Sequence, residues 1–377
     1  MRNPISDNEV SVRVLSDPNM LDAVGEAWNR IVREYGSNPF MLSGVLSEFI
    51  RSGRREGWRP LLLLLSVDGT LIGIVPLMTR KRFGLQFTRL LLAPWLSPDF
   101  ALDEQYRKKC IEEIVAFVFR DQQTKLMELT LPSNSPNLEA LKAECLAKKL
   151  RYDTRNDSRL GHRIVPVTLS WDDFVSRLGH DFRRNTKRMR RNLTEAGTWK
   201  IEFVDLGKEP QEIERINNVE RSSWKQERMQ SRGELDRDLH AIITGAAQSA
   251  KSEPDFGIRA CFLELNNLTI AYELVLQYRR SAYFTKTSFV EEYRKLSPGV
   301  FVIHEAIHSL CDNREVKEID FLTNLPVWNN WPGITATRTT ITITPSRLYR
   351  VVDWIMRAGA CGYLTLLRLL AYAKQSP

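Results

Sequence analysis

The sequence predicts a mixed α/β chain (α+β, mixed sheets) made of two similar units and closed by an amphipathic helix. Three observations lead there. Apolar residues switch repeatedly between strand-like and helix-like spacing along the chain. Two hairpin segments superpose at an offset of 198 residues, Val67-Asp68-Gly69-Thr70-Leu71-Ile72-Gly73 on Leu265-Asn266-Asn267-Leu268-Thr269-Ile270-Ala271. Each hairpin follows two helical patterns and precedes a helix and a strand, which is the mark of a duplicated unit.

Taken in order, VSVRVL (10–15) reads as a strand and 21–36 as a helix stopped by Gly36. A helix over 41–53 precedes the apolar run Leu61–Leu65. Asp68-Gly69 then marks a hairpin, because both central residues of a type I′ turn need φ > 0. Residues 105–120 read as a helix, 127–131 as a strand and 136–150 as a helix. The polar stretch 151–163 is the expected boundary. Beyond it come a basic helix, a strand at 199–206, helices at 210–224 and 234–250, and the second hairpin at 258–278. A strand at 281–289, a helix at 299–312 and a strand at 316–322 complete the plan. The expected units are therefore 1–163 and 164–344, with a basic apolar tail at 345–377.

Composition bounds the function. With 27% charged and 43% hydrophobic residues in 377, wholesale disorder is excluded. The net charge of +8 is concentrated: seven Lys/Arg against two acids in 181–200, and five against one in 345–377. The remainder is close to neutral, which excludes a globally basic nucleic-acid binder and narrows the search for a charged partner to two places. Five cysteines, at 110, 145, 261, 311 and 361, form no CxxC pair, as expected of reduced thiols in a cytoplasmic protein. The first residues lack the apolar core of a secretory signal. The apolar tail segment 351–373 contains Asp353, Arg357 and Arg368, so it is expected to pack on the body or lie on the inner membrane face rather than span it.

Two motifs carry chemistry. His304-Glu305-Ala306-Ile307-His308 matches the HExxH pattern, in which helical spacing brings two histidines to one zinc. Neither Glu nor His follows Glu318, and the surrounding residues already give this helix an apolar surface to bury, so no metal is expected. The second motif is Arg294-Lys295-Leu296-Ser297-Pro298-Gly299, a turn between a strand and a helix. Free N–H groups at a helix N-terminus favour an anion, Ser297 and Gly299 leave room for a phosphate, and Arg294 adds charge. The same residues also read as an ordinary capped helix start, with Ser297 as cap and Pro298 in the first turn.

The order hairpin, strand, R-x-x-S-P-G turn, helix, strand resembles the core of the GNAT acyltransferase superfamily. The wider pattern comprises Phe182-Arg183-Arg184-Asn185, Arg190-Arg191, Ser223-Trp224, Ile270-Ala271, Ser297-Pro298-Gly299 and Ile319-Asp320-Phe321. It resembles the CelD-like branch, associated with bacterial polysaccharide synthesis and related to the FemABX transferases. Ser297 stands where that family's turn usually has its first glycine, and Asn324-Leu325-Pro326-Val327-Trp328-Asn329 replaces its Gly-x-x-x-Tyr-Lys.

The resemblance covers about residues 20–345 and implies tandem GNAT-like units. It also implies an acyl-CoA co-substrate, typically acetyl-CoA, held by Arg294, Ser297, Gly299 and Val300. The acceptor would be an amine or hydroxyl on a sugar or cell-envelope precursor, met by Arg183, Lys187, Arg190 and Trp224. Such chemistry needs a base, a donor for the acyl carbonyl and an acid for the leaving thiolate. Glu273 or Asp320 is the expected base, although Glu273 could face solvent and Asp320 could cap or pair structurally. Tyr283 or Tyr293 is the expected acid, or else packing. The same relationships leave open a FemABX-like aminoacyl-tRNA transferase or a non-catalytic module of envelope assembly.

Overall fold

The computed structural model describes residues 9–345 except 16, 37, 53–56, 83, 157–159, 168–169, 224–233 and 314–315. Trp224, Cys361 and the helix expected in the tail lie outside them. The first half contains β1 (Ser11–Leu15), α1 (Pro18–Ala23), α2 (Gly25–Tyr35), α3 (Ser43–Ser52), β2 (Trp58–Val67), β3 (Thr70–Arg82) and β4 (Leu85–Leu90). It continues with β5 (Ala101–Leu102), α4 (Arg107–Ala116), β6 (Thr124–Pro132), α5 (Pro136–Ala147) and β7 (Arg151–Asn156). The second half runs β8 (His162–Pro166), α6 (Trp171–Ser176), α7 (His180–Ala196), β9 (Trp199–Asp205), α8 (Ile213–Arg221), α9 (Glu234–Ser249), β10 (Phe256–Leu265) and β11 (Leu268–Tyr278). β12 (Ser281–Phe289), α10 (Pro298–Asn313), β13 (Glu318–Asp320), β14 (Ile334–Ala336) and β15 (Arg338–Thr344) follow.

Local chemistry sets the helix starts. Asp17, Ser135 and Ser170 each accept a hydrogen bond from a first-turn amide, and Pro18 and Pro136 pre-set φ. The two hairpins match beyond their sequence. Asp68 and Gly69 sit at φ 49° and 78°, Asn266 and Asn267 at 51° and 66°. Both registers skip at the same place, leaving Ile72 and Ile270 as the extra, bulged residue. Both bulged carbonyls accept from the third strand segment, from Asp103 N and Val290 N respectively, each at 2.9 Å.

The strand order is β1-β2-β3-β4-β6-β15-β7 in one sheet, with β5 on β3, and β14-β8-β13-β12-β11-β10-β9 in the other. The second half thus lends one strand, β15, to the first sheet. β8 follows β7 but pairs with β13 and β14, and β15 follows β14 but lies between β6 and β7. Two sequence expectations change here. Residues 151–156 are not a linker but strand β7, exposed along most of its length and so lacking apolar alternation. Residues 338–344, read as part of the second unit, complete the first sheet.

Buried side chains form three groups. One lies between the first sheet and α4–α5, and one between the second sheet and α6, α7 and α10. The largest, with Trp28, Phe40, Phe262 and Tyr272, is shared by both halves. Each large side chain removed from water there contributes about 2 kcal/mol. At its centre α3 crosses α9 with backbones touching: a Cβ on Gly245 would stand 2.6 Å from the Gly44 carbonyl oxygen. Only glycine permits that approach.

Candidate active site

The site forms where β12 and β13 part. They pair in parallel over only three residues, Ser281–Tyr283 with Glu318–Asp320. β12 runs on to Phe289, while the other chain turns away at Leu322, whose φ is 57°. An aromatic wedge fills the gap: Phe284 against Phe321 (5.3 Å), and Phe321 stacked on Trp328 (4.2 Å). Thr285 is the extra residue of a bulge between β11 and β12, where the register passes from Val275–Phe284 to Leu274–Lys286. A bulge leaves a strand amide out of the ladder, which is what an acyl carbonyl needs.

Beside the wedge, α7, the start of α10 and residues 326–331 enclose a cleft of about 270 Å³. Phe182, Arg188, Ser297, Val300, His304 and Trp331 are on its walls. Ser297 is in the left-handed region, at φ 56° and ψ 44°, and its carbonyl accepts from Val300 N (3.2 Å) and Phe301 N (3.1 Å). A glycine adopts this conformation without strain, which accounts for the residue usual at this place in the motif. Pro298 has no N–H and the Val300 and Phe301 amides are engaged by Ser297, which leaves the Gly299 amide as the first-turn donor without an acceptor in the helix. Gly299 has a different task from the one its motif suggests. A Cβ there would meet the Phe289 ring at 3.0 Å, so its bare Cα seats α10 on β12.

Several expected roles shift. Arg190 pairs with Glu305 (2.6 Å), with its guanidinium 5.6 Å from the Trp199 ring, and so ties α7 to α10. Arg183 donates to the Ser176 carbonyl (3.0 Å). The exposed basic stripe is instead Arg184, Lys187, Arg188 and Arg191, at i, i+3, i+4 and i+7. Arg294 is exposed and pairs with Glu291 (2.9 Å). Asp320 is buried, accepting from the Leu322 amide (2.7 Å) and contacting His162 Nδ1 (2.7 Å). It therefore anchors β8 to β13 rather than serving as a solvent-facing base. Tyr283 lies edge-on to Phe40, 6.0 Å away in the shared core, and burial together with Asp320 raises its phenol above the usual range. That makes it a poor acid for a thiolate. Tyr293 packs beside the second core. Glu273 is not solvent-facing: it is buried on the α10 side of the sheet and accepts a hydrogen bond from Thr287 Oγ1.

His304 of the HExxH string is buried, with Phe182 stacked on it at 4.5 Å and Thr186 Oγ1 3.0 Å from Nδ1. Burial pushes its pKa down to about 3, so it is neutral. His308 stacks on Trp171 (4.7 Å). Among the described residues no group of three or more His, Cys, Asp or Glu could hold a metal.

A polar group that sequence reasoning missed occupies the opposite face of the second sheet. Tyr272 donates to Glu220 Oε1 (2.6 Å), and Lys286 Nζ lies 3.6 Å from Glu220 Oε2. Glu220 and Lys286 each keep only about an eighth of their side chains exposed, at 12%. Lys286 immediately follows the bulge. The alternation of polar Lys286 and Ser288 in an apolar strand was the available signal.

Residues 180–328 match the family model described as acetyltransferase (GNAT) domain. The matched segment, less than half of the chain, resembles a GNAT acetyltransferase domain and supports an acyltransferase. The two mixed sheets form α/β units in tandem. Acyl-CoA is the usual donor of that fold. No curated protein matches the chain.

Among solved structures, a conserved protein of unknown function from Bacteroides thetaiotaomicron aligns over 89% of this chain and 100% of its own, at 8% identity and TM-score 0.55. The C-terminal domain of a putative lysylphosphatidylglycerol synthetase from Agrobacterium fabrum aligns over 89% and 95%, at 10% identity and TM-score 0.52. FemX aligns over 87% and 98%, at 11% identity and TM-score 0.51. At these identities the likeness is one of fold, and it extends over both units.

Proposed function

We propose that the protein transfers an acyl group from acyl-CoA to an amine or hydroxyl of a sugar or cell-envelope precursor, as in the CelD-like branch. The observation that carries this reading is the parting of β12 from β13 at a bulged strand, beside a cleft at the N-terminus of α10. The donor's phosphates would meet the Gly299 amide at the start of α10, between Ser297 and Val300. Its thioester would lie against β12 at Thr285, where the free amide takes the developing oxyanion. Tyr272 holds Glu220, which accepts the proton of the attacking amine or hydroxyl. As the C–S bond breaks, the Lys286 ammonium protonates the thiolate and then recovers its proton from Glu220.

Calorimetric titration with acetyl-CoA tests the reading. The wild type should bind, and Val300→Glu, which sets a carboxylate on the exposed rim of the cleft, should weaken binding at least tenfold by like-charge repulsion. The absence of binding by the wild type, or equal binding by the variant, refutes it.

A second reading, a FemABX-like transferase using aminoacyl-tRNA, is favoured by the exposed stripe on α7. Low-salt tRNA binding that is lost on Arg184→Glu with Arg188→Glu would support it.

A further inference from the structure

The path the donor must take is closed in this structure. On the reading above, the donor's phosphates meet Gly299 on the α10 side of the second sheet, while Glu220 and Lys286 stand on the opposite face. Its pantetheine arm therefore has to pass through the fork between β12 and β13. Beyond the last pair, Tyr283 with Asp320, the first residue of each arm is a phenylalanine, and the rings of Phe284 and Phe321 meet at 5.3 Å. Trp328 is stacked on Phe321 at 4.2 Å, with the two planes 6° apart. Trp328 lines the cleft, whereas neither phenylalanine does. The indole is thus the wall between the cleft and the fork.

Trp328 rides on a strap with fixed ends. Leu322 is buried and its amide donates to Asp320 (2.7 Å); Trp331 is buried and its carbonyl accepts from Arg163 Nη2 (2.8 Å). None of residues 323–330 is buried, and Leu325 and Val327 are exposed. Beyond its stack, the indole is tied down by the bond from Nε1 to Thr323 Oγ1 (3.0 Å). Thr323 is itself fixed to β8, its carbonyl accepting from the Arg163 amide (3.0 Å). The closed strap also leaves Asn324 Oδ1 buried with no hydrogen-bond donor among the described residues, a cost that lifting into water relieves.

We infer that residues 323–330 form a strap that gates the donor path, held shut by the Trp328 indole and lifted to admit the pantetheine arm to Thr285. The inference rests on the donor path proposed above. A protein that must open before it binds shows an affinity reduced by the fraction that is open, so loosening the strap tightens binding. A residue that only lines the donor site behaves in the opposite way, since losing its contact weakens binding.

Calorimetric titration of the full chain with acetyl-CoA separates the two. Thr323→Val and Trp328→Phe each remove the bond between Nε1 and Oγ1 while an aromatic ring stays at 328, and each should tighten binding about fivefold. Because they delete the same bond, the double variant should gain no more than either alone. Tryptophan emission of the wild type should shift to the red on adding acetyl-CoA, as the indole enters water, and Trp328→Phe should lack that shift. Unchanged or weakened binding in either single variant overturns the gate and leaves the donor site in place. So does an emission shift in Trp328→Phe equal to that of the wild type. Failure of the wild type to bind acetyl-CoA refutes the proposed function, and the gate falls with it.

Discussion

His304 gives the structure a measurable pH signature. Its imidazole, at the wall of the cleft, is buried against Phe182, Trp331 and Thr186, and burial lowers its pKa to about 3. In the unfolded chain a histidine titrates at about 6.5. Below that pH the unfolded state takes up a proton that the folded state refuses, so stability falls as the pH falls from about 6.5 toward 3. The slope is about 1.4 kcal/mol per pH unit, so between about pH 7 and about pH 4.5 His304 alone costs about 3 kcal/mol. Urea unfolding of the wild type and His304→Gln at both pH values isolates the effect. Carboxylates that titrate in the same range do so in both proteins and cancel. The variant should lose about 3 kcal/mol less than the wild type over that interval. Equal losses, or a His304 ring resonance titrating near pH 6.5 by NMR, would refute the argument that the imidazole is buried.

Arg338→Met should destabilise the chain by about 3–5 kcal/mol in urea unfolding. It orphans Ser97 Oγ and the Trp95, Leu160 and Leu322 carbonyls, all joined by one buried guanidinium. A loss under about 1 kcal/mol would show that these groups find water instead. Glu220→Gln should lower kcat by about a hundredfold or more, with acetyl-CoA binding unchanged in calorimetry. A loss confined to KM would remove Glu220 from proton transfer. Ser297→Gly should keep donor binding and raise stability by up to about 1 kcal/mol, because a left-handed serine is strained; a clear loss of stability would contradict the conformation assigned there.

The tandem hairpins, the order of helices and strands and the turn into α10 were legible because each rests on contacts within a few residues. Asp68-Gly69 and Asn266-Asn267 announce their own turns, and the offset between them located the repeat down to the matching bulges at Ile72 and Ile270. The site was only half legible. The turn pointed to Ser297 and Val300, which line the cleft, and the polar residues of β12 hinted at Lys286. The distribution of tasks on α7 was misread. Arg190, itself exposed, pairs with Glu305, and the stripe at 184, 187, 188 and 191 emerged only once the buried face, Met189 and Leu193, was known.

By itself, then, the sequence determined two mixed α/β units and the turn into α10, since periodicity and turn chemistry are written in neighbouring residues. Only the tertiary structure decided that β15 crosses to the first sheet, that Asp320 clamps His162 across 158 residues, and that Glu220, Tyr272 and Lys286 meet. Those pairings join segments far apart in the chain, and whether they close depends on the burial and hydrogen bonding of every element between them, which no local pattern encodes.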